Sequence, residues 1–245
     1  MKKYIFLFIS LVLINNLFSQ VETYSNSVYE GNSYNAFIVK IDSESIKNFN
    51  ILENSAYQPF QDYLSNLSSL SPFFIITASI SDSLCNPVGM YIKNNQIIQP
   101  INLEDGYGNF YLKPNGALLF TSDKAIICES EEIPLYNDIQ LGIQSGPMLL
   151  VNGAVHSKFN ISSTNKLIRC GVGTYSNANG DNFIVFAISN TPVSFYEFSM
   201  YFLNKFDCKQ AICLESNNCV MSFPNSTSPS ENFNSVICNF IYFKI

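Results

Sequence analysis

Charge is scarce in this sequence, and basic charge most of all. Only 13% of the 245 residues are charged, and 13 Lys and Arg stand against 19 Asp and Glu, a formal net charge of −6. There is no run of like charge and no basic face to neutralise phosphates, which argues against a nucleic-acid partner. Scarce charge does not mean disorder here, because 47% of residues are hydrophobic and can build a core. Only one histidine is present. A Ser-His or Cys-His hydrolase would therefore have to use His156. The seven cysteines include no Cys-x-x-Cys pair and lie far from that histidine in sequence, so no zinc site, and no other metal or cofactor, is expected. Gly171-Val172-Gly173 is too short for the G-x-G-x-x-G fingerprint of dinucleotide binding. We find no internal repeat and no linker, and after residue 20 no apolar run long enough to span a membrane.

Met1 to Gln20 has the layout of a secretory signal. Lys2-Lys3 supplies the basic start, Tyr4 to Ile14 is apolar, and Leu17-Phe18-Ser19-Gln20 forms a cleavage region. The apolar run stops at Asn15-Asn16, short of the ~20 residues that an anchor needs. No cysteine follows to accept a lipid. The expected product is an exported domain, 21–245, periplasmic or secreted, with 11 bases against 19 acids. Some cysteines should pair in an oxidising compartment, and the odd total leaves at least one unpaired. Spacing alone does not say which.

Short apolar runs broken by Asn, Gly and Pro mark strands and turns. Ala36 to Ile41 reads as a strand. Hairpins are expected at Met90–Ile98, turning at Asn94-Asn95, and at Phe110–Phe120, turning at Pro114-Asn115-Gly116. Two more are expected at Met148–His156, turning at Asn152-Gly153, and at Gly171–Ser189, turning at 177–180. Val236 to Ile245 reads as a closing strand after a Ser- and Asn-rich loop. Two helices are expected. Tyr57 to Leu70 carries apolar residues at helical spacing. Ser194 with Glu197 forms a capping box that opens an aromatic stripe from Phe195 to about Lys205. That helix lies between two apolar runs, 183–189 and 211–215, as in a strand–helix–strand unit. The expected fold is therefore α+β: a single domain, with a strand-rich twisted mixed sheet, hairpins and two main helices.

Ligand sites in strand–helix–strand units favour the loop beyond a strand's carboxyl end. Glu215, Ser216 and Asn217 occupy such a position. Arg169 has a guanidinium suited to bidentate capture of phosphate or carboxylate, or to a structural ion pair. His156 follows a hairpin strand and suits acid–base work, or simple packing. Asn115 and Gln144-Ser145-Gly146 offer the amides and backbone N–H groups that a sugar site needs. They are also ordinary turn residues.

In order along the chain, these segments resemble the phosphodiester glycosidase family. The likeness runs through Asn35-Ala36-Phe37-Ile38-Val39, Pro87-Val88-Gly89-Met90-Tyr91-Ile92 and Gly108 to Gly116. It is strongest at Gln144-Ser145-Gly146-Pro147-Met148-Leu149 with Val151-Asn152-Gly153, and at His156, Arg169 and Gly171-Val172-Gly173. It ends at Phe195-Tyr196-Glu197-Phe198 and Ala211-Ile212-Cys213-Leu214. Three places depart from the family pattern. Thr77-Ala78-Ser79-Ile80 replaces Asn-Ala-Gly, Leu214-Glu215-Ser216 replaces Leu-Asp-Gly, and Cys170 replaces an Asn. The resemblance implies an exported hydrolase that cleaves an N-acetylglucosamine-like sugar-1-phosphodiester at the anomeric carbon. It casts Glu215, Arg169 and His156 as catalytic, and Thr77, Asn115, Gln144, Ser145, Gly146, Ser216 and Asn217 as substrate-binding. The departures imply an alternative, a degenerate protein of the same fold that binds a glycan or phosphosugar without turnover. Asn66-Leu67-Ser68, Asn160-Ile161-Ser162 and Asn225-Ser226-Thr227 have the form of glycosylation acceptors and would suit an adhesion role. In so Asn- and Ser-rich a chain they also arise by chance.

Overall fold

A computed structural model of the chain describes residues 20–54, 57–67, 73–215, 218–224, 226 and 234–245. All of the expected signal except Gln20 lies outside these, as do Ser216, Asn217 and the tail of the first expected helix. The strands in chain order are β1 (Val21–Tyr29), β2 (Asn32–Lys40), β3 (Phe49–Glu53), β4 (Phe74–Thr77), β5 (Tyr91–Lys93), β6 (Gln96–Gln99), β7 (Gly116–Phe120) and β8 (Ala125–Glu129). They continue with β9 (Leu141–Ser145), β10 (Met148–Val151), β11 (Ala154–Val155), β12 (Cys170–Ser176), β13 (Asn182–Ser189), β14 (Gln210–Glu215), β15 (Met221–Ser222) and β16 (Asn239–Phe243). The two α-helices among the described residues are α1 (Phe60–Asn66) and α2 (Phe195–Phe206).

The fold is strand-rich α+β with two main helices. The strands divide into three sheets, ordered β1-β2-β13-β12-β14-β10-β11, β15-β4-β16-β3 and β6-β5-β9-β7-β8. Pairing among the described strands is antiparallel, so the expected mixed sheet is corrected in that respect. The strand–helix–strand unit is present as β13-α2-β14. Its two strands point the same way, but β12 lies between them, antiparallel to both.

Three of the expected hairpins form. Asn94 and Asn95 have φ of 51° and 61°, Asn152 and Gly153 have 51° and 77°, and Gly180 has 80°, the left-handed values that tight turns demand. The hairpin expected at Phe110–Phe120 does not form. Its first half is a 3-10 turn at Asn109–Tyr111, and β7 pairs instead with β8 and β9. The physical reason is local: the Phe110 carbonyl is taken by the Asn115 side-chain amide at 3.0 Å, which folds the segment back on itself.

The largest sheet is buried on both faces. On β13, Ile184, Phe186 and Ile188 join a core shared with Phe49, Phe74, Leu118 and Ile241 from the other two sheets. Val185 and Ala187 face the other way and pack against Phe198, Tyr201 and Phe202 of α2. This is the period-2 pattern of a central strand. Ser194 caps α2: its side chain accepts from Glu197 N–H at 3.1 Å, and its own N–H donates back to the Glu197 carboxylate at 2.7 Å. The Gly171-Val172-Gly173 motif seats this helix. A Cβ on Gly173 would lie 2.8 Å from the Phe202 ring, and one on Gly171 would lie 3.1 Å from Phe198. Glycine is required there for close approach, not for phosphate binding.

Candidate functional site

Gln144, Ser145 and Gly146 form the seam between two sheets. Gln144 is fully buried at the end of β9. Its Oε1 accepts the N–H groups of Met90 and Asn102, each at 2.9 Å. Its Nε2 donates to the Asn102 carbonyl at 2.7 Å and to Ser130 Oγ at 2.8 Å. Two acceptor sites and two donors are all that an amide has, so none is left for a ligand. Ser145 donates to the Leu214 carbonyl at 2.8 Å and so ties β9 to β14. A Cβ on Gly146 would sit 2.7 Å from that of Asn115, so these two residues are in close contact. Asn115 also borders a separate cavity of about 320 Å³ with Lys113, Glu129 and Ser130.

Arg169 and His156 belong to one buried stack. The guanidinium lies 3.6 Å over the Phe195 ring, Phe195 stacks on Phe159 at 5.0 Å, and Phe159 stacks on the His156 ring at 4.7 Å. Arg169 is fully buried. Its Nε donates to the Val193 carbonyl at 2.8 Å and its Nη2 to the Asn165 carbonyl at 3.1 Å. Burial lowers its pKa, and the nearby thiols of Cys213 and Cys219 oppose that shift. His156 Nδ1 accepts from Lys158 N–H at 3.2 Å. Burial pushes the imidazole below its ordinary value of 6.5, against the Lys113 backbone, which acts the other way. The two residues expected to grip a phosphoryl group thus meet each other through aromatic rings, beneath the start of α2.

Thr77 and Glu215 do come together. They line a cavity of about 360 Å³ with Ser79, Ser81 and Asn218. The Cys85–Cys238 disulfide, which joins residues 153 apart in sequence, forms part of its wall. The polar row has a simple origin. Residues 77, 79 and 81 alternate along an extended segment and so share one face. Thr77 Oγ1 donates to the Asn218 carbonyl and accepts Val220 N–H, both at 3.0 Å. Buried Asn239 sets the other two hydroxyls. Its Oδ1 accepts Ser79 N–H at 2.8 Å and Ser79 Oγ at 3.2 Å, and its Nδ2 donates to Ser81 Oγ at 2.7 Å. Asp82, also on the wall, is held below the usual carboxylate range by the Asn86 side chain and backbone. No Lys, Arg or His lines this cavity among the described residues.

Glu215 is half-buried at the end of β14. Its backbone carbonyl is ringed by thiols: Cys219 at 3.0 Å, Cys213 at 3.3 Å and Cys170 at 3.7 Å. Arg169 precedes Cys170 in sequence, yet their side chains part. Cys170 joins the inter-sheet core, while Arg169 stacks on Phe195 of α2. Sequence reasoning named Thr77, Glu215 and Ser79 but missed Ser81, Asn239 and the disulfide wall. The Thr-x-Ser-x-Ser spacing was the visible signal for Ser81. Asn239 and Cys238 lie about 160 residues away and give none.

A model of the phosphodiester glycosidase family matches residues 73–215. The uncharacterized protein YigE of Escherichia coli strain K12 is 32% identical over 140 residues, 57% of this chain and 54% of that protein. The chain therefore spans about half the length of this relative. A hypothetical protein from Synechocystis, solved as a crystal structure, aligns with a TM-score of 0.58 at 12% identity, over 92% of this chain and 62% of its own. That likeness concerns the fold alone.

Proposed function

The chain belongs to the phosphodiester glycosidase family, and we propose that it is an exported hydrolase that cleaves a sugar-1-phosphodiester, of N-acetylglucosamine type, in the cavity between Thr77 and Glu215. The observation that carries this reading is the meeting of a hydroxyl row and a carboxylate-bearing strand end from segments over 130 residues apart. Ser79 and Ser81, with orientations fixed by Asn239, would bond sugar hydroxyls. Breaking the anomeric C–O bond passes through an oxocarbenium-like state. The Glu215 carboxylate would face that positive charge, or take a proton from the attacking water. The departing phosphate monoester is already a good anion. With no Lys, Arg or His among the described residues of the cavity wall, water at the mouth would solvate it. In this reading Arg169 and His156 shape the fold around α2 and do not touch the phosphoryl group.

The lack of a cation among the described lining residues favours a second reading, a cleft that binds a glycan or phosphosugar without turnover. Glu in the family's Asp position adds a methylene, and a shift of ~1 Å can cost ~100-fold in rate. One experiment separates the two. The purified chain is given a synthetic N-acetylglucosamine-1-phosphodiester, and released sugar is followed beside a Glu215→Gln control. Release that the control lacks supports hydrolysis, binding without release supports the second reading, and neither removes both. Export is tested by the amino-terminal mass of the native protein, which should begin near Val21.

A further inference from the structure

Five cysteines lie outside the Cys85–Cys238 disulfide, all buried. Three of them do not scatter. Cys170 starts β12, Cys213 lies within β14, and Cys219 comes four residues after the end of β14, yet their sulfurs converge on the Glu215 carbonyl at 3.7, 3.3 and 3.0 Å. A carbonyl oxygen has two lone pairs, so three thiols exceed its capacity. The three do not form a metal-ligating group with other His, Cys, Asp or Glu among the described residues. Cys219 and Cys170 also hydrogen-bond each other, whereas Cys213 acts on Cys219 only through space. Cys170 is the cross-strand partner of Glu215. A bond from Cys170 to Cys219 would therefore join the start of β12 to the residue after Asn218, at the border of the candidate cavity.

We propose that Cys170 and Cys219 form a second disulfide, which ties the chain at Cys219 to β12. The oxidant is a low-molecular-weight disulfide such as oxidised glutathione. One cysteine thiolate attacks a sulfur of that disulfide and releases one small thiolate. The second cysteine then attacks the mixed disulfide and releases the other. The two protein thiols lose two protons and two electrons, and one small disulfide becomes two thiols. Burial pushes the Cys219 thiol pKa up in the folded chain, so the exchange belongs to folding, before Cys219 is covered.

The pairing can be read without any substrate, so it stands or falls apart from the glycosidase reading. The full chain is unfolded, reduced and refolded in a glutathione redox buffer, then alkylated with iodoacetamide in denaturant, digested without reductant and analysed by mass spectrometry. We expect two cross-linked peptide pairs, Cys85–Cys238 and Cys170–Cys219, an intact mass about 4 Da below that of the reduced chain before alkylation, and alkylation confined to Cys128, Cys208 and Cys213. Cys213→Ser should keep both links. Cys170→Ser should lose only the second, with the Cys85–Cys238 pair reporting that the chain has folded. Alkylation of Cys170 and Cys219 to the extent of Cys128 in chains that retain the Cys85–Cys238 link would overturn the proposal. So would a Cys213–Cys219 link in the unsubstituted protein.

Discussion

Two regions of this molecule carry the polar residues that a sugar-phosphate site calls for, and they use them differently. Beneath α2 and along the β9 seam, Arg169 and Gln144 are fully buried and bonded to the protein itself, with Nη1 of Arg169 alone left without a hydrogen-bond partner. Around the Thr77–Glu215 cavity the polar side chains border open space and are held by neighbours behind them, although Thr77 and Ser79 are themselves buried. A guanidinium or an amide is suited to a ligand by its chemistry, but its neighbours decide whether any bonding capacity is left. In the proposed reading the first region supports the fold and the second admits the ligand.

Substitutions should break the two regions in different ways. The largest effect on stability is expected for Arg169→Ala. It empties a large buried volume and strands the Val193 and Asn165 carbonyls, at a cost of about 4 kcal/mol. Urea unfolding measures this, and a loss of sugar release with full stability would place Arg169 in the reaction instead. Glu215→Gln should do the opposite. It should lower turnover by about 100-fold or more in a chain whose urea transition still reports a folded protein, since the backbone carbonyl that holds the thiols is kept. Gln144→Leu keeps much of the volume but strands the Met90 and Asn102 N–H groups, and about 2 kcal/mol should be lost. Ser194→Ala removes one half of the α2 capping box and should cost about 1 kcal/mol, with substrate binding unaltered.

The smallest expected effect concerns pH. Burial holds His156 below its ordinary value of 6.5, so between that value and its folded one the unfolded chain binds more protons. The stability tied to the neutral ring is complete above pH 6.5 and is lost as pH falls through the folded value. Unfolding midpoints measured from pH 7.5 down to pH 5 should fall less steeply in His156→Phe than in the unsubstituted chain. Equal slopes would mean that the imidazole is not held neutral by its stack.

Much of this fold could be read from local chemistry. The Asn-Asn and Asn-Gly turns and the Ser194–Glu197 cap depend on residues within a few positions of each other, so three hairpins and α2 follow directly. β1 was not foreseen, because Glu22, Ser25 and Asn26 interrupt its apolar residues and it lies at a sheet edge with most of its side chains outside the core. The site was less legible, and the reason is parity. Arg169 and Cys170 are neighbours in sequence, but adjacent residues of an extended chain point to opposite faces. Which face receives α2 is settled by Gly171 and Gly173 together with Phe198 and Phe202, a match of shapes across thirty residues. Once α2 takes that face, Arg169 stacks on Phe195 beneath the helix and is not among the residues that line the Thr77–Glu215 cavity. Thr77 meets Glu215 because β4 and β15 pair, a contact between segments about 140 residues apart that no local pattern announces.

The most direct test of the division between the two regions is amide chemical-shift mapping by NMR with a non-hydrolysable N-acetylglucosamine-1-phosphonate ester. Entry at the cavity predicts shifts confined to Thr77–Asp82, Glu215, Asn218 and the Val236–Cys238 wall, with His156, Phe159 and Phe195 unmoved. Shifts centred on His156, Phe159 and Phe195, with Thr77 to Asp82 silent, would contradict the account.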